Sequence, residues 1–297
     1  MIGPLASWLG DAMALGCALA WACSILLFRR AKDVDPAGLN LFKNVLATGM
    51  LVATMIATGG ALDLGRSPRD WALLAVSGVL GLAVGDTLFL AGLRRLDASV
   101  AAVTDCTYSP TVVALSALLL GERLGPGIAI GAPLIVLGLL LVSWRGKSGG
   151  VATPIDRRGV ALAIAGVMST ALGVVVAKPA LGASSLIEAT TIRLVAGTSA
   201  LFAFQAAAGQ ARRALSVFVP SASWRVMIPA TILGAYVAMI LWLGGMKYGT
   251  ASRAALLNQS AAVWVLLLSA LLGEKIPRLR WVGAGLAVFG VAVVIAA

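Results

Sequence analysis

The chain has 297 residues, of which 60% are hydrophobic and only 12% charged, and its mean hydropathy is +0.98. A soluble core of this size cannot hide that much apolar side chain, so lipid is the expected solvent. The net charge of +11 lies almost wholly between the apolar runs, where it meets lipid headgroups and leaves no soluble basic surface for nucleic acid.

A spanning helix needs about 20 mostly apolar residues. Runs of that kind are predicted over Trp8–Phe28, Ala37–Gly59, Trp71–Gly92, Ala98–Leu120, Gly125–Ser143, Gly159–Ala177, Ser185–Ala208, Trp224–Met246, Thr250–Leu272 and Pro277–Ala297. The first lacks a basic leader and runs on into the second, so it reads as a retained helix and not as a cleaved signal. In the second, Lys43 lies within the apolar run. The third carries Ser77, Gly81 and Gly85 one turn apart, a ladder expected to seat a close helix contact, and then Asp86. The fourth holds Asp105 and a Tyr108-Ser109-Pro110 step, where proline removes a backbone bond and should interrupt the helix. Between the fifth and sixth, Trp144 to Arg158 is too short for a soluble domain. Its Gly146-Lys147-Ser148 triplet has Leu141 where a phosphate loop needs glycine, and so reads as a linker turn. The seventh run carries Arg193, the eighth Tyr236 and Trp242, and the ninth Asn258, Gln259 and Ser260, uncharged groups able to bond a solute or a neighbouring helix.

No histidine occurs in the chain, which excludes a histidine base, a histidine metal ligand and Ser-His-Asp chemistry. The three cysteines, Cys17, Cys23 and Cys106, all fall inside predicted helices, and Cys17 and Cys23 share one helix in a geometry that cannot bridge. No metal and no cofactor is expected.

Sliding the chain along itself by about 150 residues aligns Gly92-Leu93-Arg94-Arg95 with Gly244-Gly245-Met246-Lys247. It also aligns Leu119-Leu120-Gly121-Glu122-Arg123-Leu124 with Leu271-Leu272-Gly273-Glu274-Lys275-Ile276, and Gly131 and Gly138 with Gly283 and Gly290. With small slippage, Trp71 and Gly81 fall on Trp224 and Gly234, and Lys43 on Arg193. The chain therefore divides into a first repeat, 1–146, a linker, 147–158, and a second repeat, 159–297. An odd number of helices per repeat makes the second copy enter the membrane from the other side, so the fold class is all-α, ten transmembrane helices in two inverted five-helix repeats.

These features resemble the drug/metabolite transporter superfamily, specifically its EamA-type ten-helix proteins. The resemblance is carried by the two Gly-Glu turns (Gly121–Leu124 and Gly273–Ile276), the Ala98-Ser99 helix start, the Ser109-Pro110 step and a cation early in helices two and seven. The sequence departs from the pattern at Ala261-Ala262, which replaces the Ser-Pro step in helix nine, and at Lys43, where an arginine is more usual. The resemblance implies a central cavity lined by helices three, four, eight and nine, cytoplasmic termini, and solute transport across a bacterial inner membrane. Within the family the reading leans to the YddG-type exporters of amino acids. The charge bias points the other way on orientation, since loops on the side opposite the termini carry most of the Lys and Arg.

Ionisable groups at membrane depth must be paired, watered or functional. At 1.5 Å per residue, Lys43, Asp86 and Asp105 all lie roughly 10 Å below one surface and can meet. The second repeat has Ala238 and Leu257 at the two acidic positions. A structural Lys43–Asp86 pair is one reading; a carboxylate that exchanges protons or holds a substrate amine is the other. Arg193 lies at similar depth from the opposite face, outside that cluster in a straight-helix picture, and suits either a carboxylate or a headgroup. Asp105, Tyr108 and Ser109 share a face if helix four runs regularly, and Trp21, Tyr236, Trp242 and Trp264 lie deep enough to shape a pocket or simply to pack. The candidate substrate or coupling residues are thus Lys43, Asp86, Asp105, Tyr108, Ser109, Arg193, Tyr236, Asn258 and Gln259. The expected partners are a small-molecule substrate and the lipid bilayer, the expected state is a monomer, and the expected function is export of amino acids or related small metabolites by alternating access. A membrane-embedded lipid enzyme using Asp86 and Asp105, or a channel, are the alternatives.

Overall fold

The computed structural model describes residues 4–28, 30, 34, 36–93, 95–96, 98–143, 156–274 and 276–296. Arg29, Lys32, Arg94, Arg145, Lys147, Lys275, the Gly146-Lys147-Ser148 triplet and most of the linker lie outside the described residues. Among the described residues, 10 helices are long and apolar enough to cross a membrane. We label them α1 (Pro4–Phe28), α2 (Pro36–Ala57), α3 (68–93), α4 (98–120), α5 (Pro126–Ser143), α6 (Arg157–Ala183), α7 (Leu186–Ala207), α8 (224–248), α9 (251–271) and α10 (Arg278–Ala296). The largest difference from the predicted spans is α6, which continues through Lys178-Pro179 past the expected end at Ala177. It can do so because the Lys178 ammonium donates to the carbonyls of Met246 and Gly249 and need not reach water.

Helix starts and stops follow local chemistry. Ser67 caps α3 by accepting from the Asp70 N–H (3.2 Å), with Pro68 in the first turn, where no intrahelical N–H is lost. Asp156 caps α6 by accepting from the backbone of Arg158 (2.9 Å) and Gly159 (3.2 Å). The Gly159 bond, with that of Arg158 and the nearby Arg95, holds the Asp156 carboxyl below the usual carboxylate range. The Arg95–Asp156 pair itself (3.5 Å) is exposed and contributes little. Both Gly-Glu turns end their helices on a left-handed glycine, Gly121 at φ 65 and Gly273 at φ 87, a conformation that side chains with a Cβ resist.

Four spans are irregular, in repeat-related pairs. α3 and α8 each contain a π-helical stretch, Val79–Gly85 and Ile232–Val237. α4 breaks between Asp105 and Tyr108, and α9 between Asn258 and Ala261. The break in α4 lies upstream of the expected Tyr108-Ser109-Pro110 step, and Pro110 sits in the first turn of the segment that follows. Because α9 breaks at the related point without a proline, proline is not the sole cause.

The two repeats meet through contacts that come in exchanged pairs, the signature of a two-fold axis. A Cβ on Gly131 would lie 2.7 Å from the Gly290 carbonyl and one on Gly290 2.9 Å from that of Gly131; between Gly138 and Gly283 both distances are 2.6 Å. These glycines join α5 to α10. Ser24 in α1 donates to the Ala230 carbonyl of α8 (2.8 Å), while in the related α6–α3 contact Ser77 donates to the Gly173 carbonyl. Thr48 meets its own repeat mate Thr198 (3.5 Å), which puts this pair on the axis. The Ser77-Gly81-Gly85 ladder does seat a close contact, against Gly166, Thr170 and Gly173 of α6. Since lipid and core are equally apolar, such close approach is what holds the helices together, and enlarging it should be costly. Gly138→Leu is expected to lower stability by about 1–3 kcal/mol or more through overpacking. Gly285→Leu, on the facing helix α10 but with nothing within 4 Å, should be neutral. Folded yield after size-exclusion chromatography separates the two; equal yields would contradict this packing.

Candidate functional site

Between the repeats lies a cavity of about 510 Å³ that reaches from the face opposite the termini past the middle of the bundle. Both π-helical stretches and both helix breaks contribute to its wall: Gly81 and Leu82 from α3, Gly234 and Ala235 from α8, Asp105 and Tyr108 at the break in α4, Asn258 and Gln259 at that in α9. Freed backbone is tolerated at depth where it lines a cavity or finds a partner, and both apply here. Gln259 Nε2 donates to the Asp105 carbonyl (3.4 Å), tying one break to the other.

Seven of the nine residues singled out in the sequence line this cavity: Lys43, Asp86, Asp105, Tyr108, Arg193, Asn258 and Gln259. Lys43 Nζ lies 3.2 Å from Asp86 Oδ2, with both side chains partly open to the cavity. Asp105 is exposed to it, and no cation among the described residues lies within ion-pair distance. Arg193 requires a correction, since it belongs to the same cavity after all. It forms the floor, 1% exposed, with its guanidinium 5.4 Å from the centre of the Trp242 ring. The straight-helix picture missed this because the cavity extends beyond the bilayer middle.

Ser109 and Tyr236 do not line the cavity. The break after Asp105 destroys the regular register that would put Ser109 on the same face, and Ser109 is fully buried with its Oγ unpartnered. Tyr236 lies in the π-helical stretch of α8, whose altered register points it at Thr54 of α2, Oη to Oγ1 2.6 Å. Of the other deep aromatics, Trp21 and Trp242 line the cavity. Sequence reasoning passed over Glu274 and Arg280 near the mouth; Glu274 was visible as the acid of the second Gly-Glu turn.

The face that bears the termini is closed by a polar layer. Arg253 holds Asp11 with two bonds, 2.7 and 2.6 Å, and also donates to the Ile295 carbonyl (3.0 Å). Glu122 accepts from the N–H groups of Ala251 (2.7 Å) and Ser252 (3.1 Å) and from Ser252 Oγ (2.8 Å), capping α9. Arg66 pairs with Glu188 at 2.6 Å, and Glu188 accepts from the Asp63 N–H (2.7 Å). Among the described residues no three of His, Cys, Asp and Glu come together so as to hold a metal ion.

If Lys43 and Asp86 satisfy each other, Asp86→Asn alone should cost about 1–3 kcal/mol, because the ammonium is left without its partner. The double change with Lys43→Gln should recover most of that loss. Thermal unfolding in detergent of the four proteins of this cycle checks it; equal loss in the single and the double variant would show that the two are not energetic partners.

The EamA-like transporter family matches this chain twice, over residues 8–144 and 157–296. The chain belongs to the EamA-like transporter family. The two matches fall on the two sets of five spans, as a duplicated EamA-like unit requires. An uncharacterized transporter of Archaeoglobus fulgidus is 27% identical over 140 residues, 46% of this chain and 49% of that protein. A WAT1-related protein of Arabidopsis thaliana is 31% identical over 162 residues, 52% of this chain and 42% of that one. The chain thus spans about half the length of the curated relatives it matches. One solved crystal structure shares the EamA-like fold, with a TM-score of 0.79 at 20% identity over 96% of this chain and 95% of the other.

Proposed function

We propose that this protein is a secondary transporter that exports amino acids or related small metabolites across a bacterial inner membrane by alternating access. In this reading residues 1–146 and 159–297 are the two units that rock, and 147–158 joins them. The observation that carries it is a cavity with charges of both signs, open to one face and shut from the other by bonds between the repeats. A zwitterion with a variable side chain suits such a wall: cations and acids for its two charged groups, Trp21, Trp242 and Tyr108 for the remainder.

The duplicated turns supply a means of exchange. Glu122 caps α9 on the closed face, whereas its repeat mate Glu274 lies at the cavity mouth with no partner for its carboxylate among the described residues. Closure of the mouth would bring Glu274 onto the N-terminus of α4, at residues 99 and 100, while Glu122 lets go. A continuous pore and a lipid-cleaving site both fit less well, the first because of the closed layer, the second because the acids share their cavity with fixed cations. Uptake of a radiolabelled amino-acid panel by sealed proteoliposomes tests the substrate class. Saturable entry of several members is expected; no entry of any above protein-free vesicles would refute it.

A further inference from the structure

Arg193 is a cation that no carboxylate among the described residues neutralises. It is buried at the cavity floor, its Nε and Nη1 have no hydrogen-bond partner, and no carboxylate among the described residues lies within ion-pair distance. Around it stand two further polar atoms without a bond, the Tyr108 hydroxyl and the Trp242 indole nitrogen, which lie side by side without completing one to each other. Burying a lone charge is expensive, so a chain keeps one where something outside it supplies the counter-charge.

The internal symmetry identifies what is missing. Lys43 and Arg193 are repeat mates, as are Asp86 and Ala238. In the first repeat the cation has its acid, with 3.2 Å between Lys43 and Asp86. In the second the acid's position is Ala238, which also lines the cavity and supplies no carboxylate. We propose that Arg193 anchors the carboxylate of the transported solute, which takes beside it the place that Asp86 takes beside Lys43. This rests on the transport reading above and narrows it to substrates bearing a carboxylate.

The donor set favours a carboxylate over other anions. A planar guanidinium matches a planar carboxylate with two parallel bonds, and the Tyr108 hydroxyl and Trp242 N–H are uncharged donors to complete it. One positive charge balances a monoanion, whereas a phosphate dianion would leave net charge buried, and the other deep cation, Lys43, is already engaged. Tyr108 neighbours Arg193, so a solute whose carboxylate sits on Arg193 lies beside the phenol and extends up the cavity towards its mouth.

The test compares L-alanine, L-leucine and L-phenylalanine with their carboxamides, in sealed proteoliposomes and by thermal unfolding in detergent. The parent protein should carry the acids faster than the amides by about 10-fold or more, the worth of a charge-assisted bond. Arg193→Gln should slow the acids by about 10- to 100-fold and bring the acid-to-amide ratio near one. Ala238→Asp, which installs the missing acid, should block the acids as strongly. Both variants should unfold at or above the parent's temperature, since Arg193→Gln removes the lone buried charge and Ala238→Asp pairs it, and added acid should raise the unfolding temperature of the parent alone. Equal carriage of acids and amides by the parent, or an unchanged preference in Arg193→Gln, overturns the anchor while leaving transport intact. Marked loss of stability in both variants also overturns it, since the cation would then be structural. If none of these solutes crosses, the amino-acid reading fails, and the anchor is decided by whether the acids stabilise the parent but not Arg193→Gln in detergent.

Discussion

Asp105→Asn is expected to reduce net solute movement in proteoliposomes by about 100-fold or more while leaving the folded yield near that of the parent. The argument is one of unbalanced charge. The cavity presents Lys43, Asp86, Asp105, Arg193, Glu274 and Arg280. Lys43 is engaged by Asp86 at 3.2 Å, and no cation among the described residues reaches Asp105. Asp105 also sits at the last residue before the break in α4, exposed to the cavity, where its carboxylate can change partner without disturbing helix packing. Its backbone carbonyl, bonded by Gln259, is untouched by the substitution. The neutral amide keeps the shape and removes both the charge that would hold a substrate amine and the proton that would couple transport. Wild-type flux with unchanged pH dependence would remove Asp105 from the mechanism.

Glu122→Gln should loosen the closed face. The carboxylate receives three bonds from the first turn of α9, and a charged acceptor at a helix N-terminus with several donors is worth about 1–3 kcal/mol more than its amide. A change of that size shifts the balance between two states by about 10- to 100-fold. Position 116 reports it, because Ser116 is fully buried beneath this layer, its Oγ 2.8 Å from that of Ser252. With the native cysteines replaced, a cysteine at 116 should react with a membrane-impermeant maleimide at least about 10-fold faster in the Glu122→Gln background. The same change at Glu274 should not speed it, as that residue has no bond to lose on the closed face. Equal rates at position 116 with and without Glu122→Gln would mean that this cap does not hold the face shut.

Much of the fold was legible because the bilayer imposes a length on every span and the duplication imposes a register on every anchor. The ten spans, the inversion, the glycine turns and the Ser77-Gly81-Gly85 contact all follow from those constraints. What was not legible depended on departures from regular helix. The π-helical stretches have no residue that demands them, and they turned Tyr236 towards Thr54. The break in α9 occurs without proline, and that in α4 falls before Pro110, which is why Asp105 lines the cavity and Ser109 is buried away from it. Contacts between different spans were equally hidden. Asp11 with Arg253 and Arg193 over Trp242 each join helices whose adjacency no local pattern records. The seven cavity-lining candidates were found because an ionisable or amide group inside an apolar run is rare enough to be noticed in isolation.

The central claim, that one cavity is exposed alternately to the two faces, is tested most directly by counterflow. Sealed proteoliposomes are preloaded with a high concentration of an unlabelled amino acid and diluted into buffer containing a trace of the labelled form. A carrier predicts saturable entry and a transient rise of label inside above its equilibrium level, because each return of the loaded protein brings label in. Label that enters linearly with concentration and never exceeds equilibrium would contradict the account in favour of a channel, and label recovered as a different compound would contradict it in favour of an enzyme.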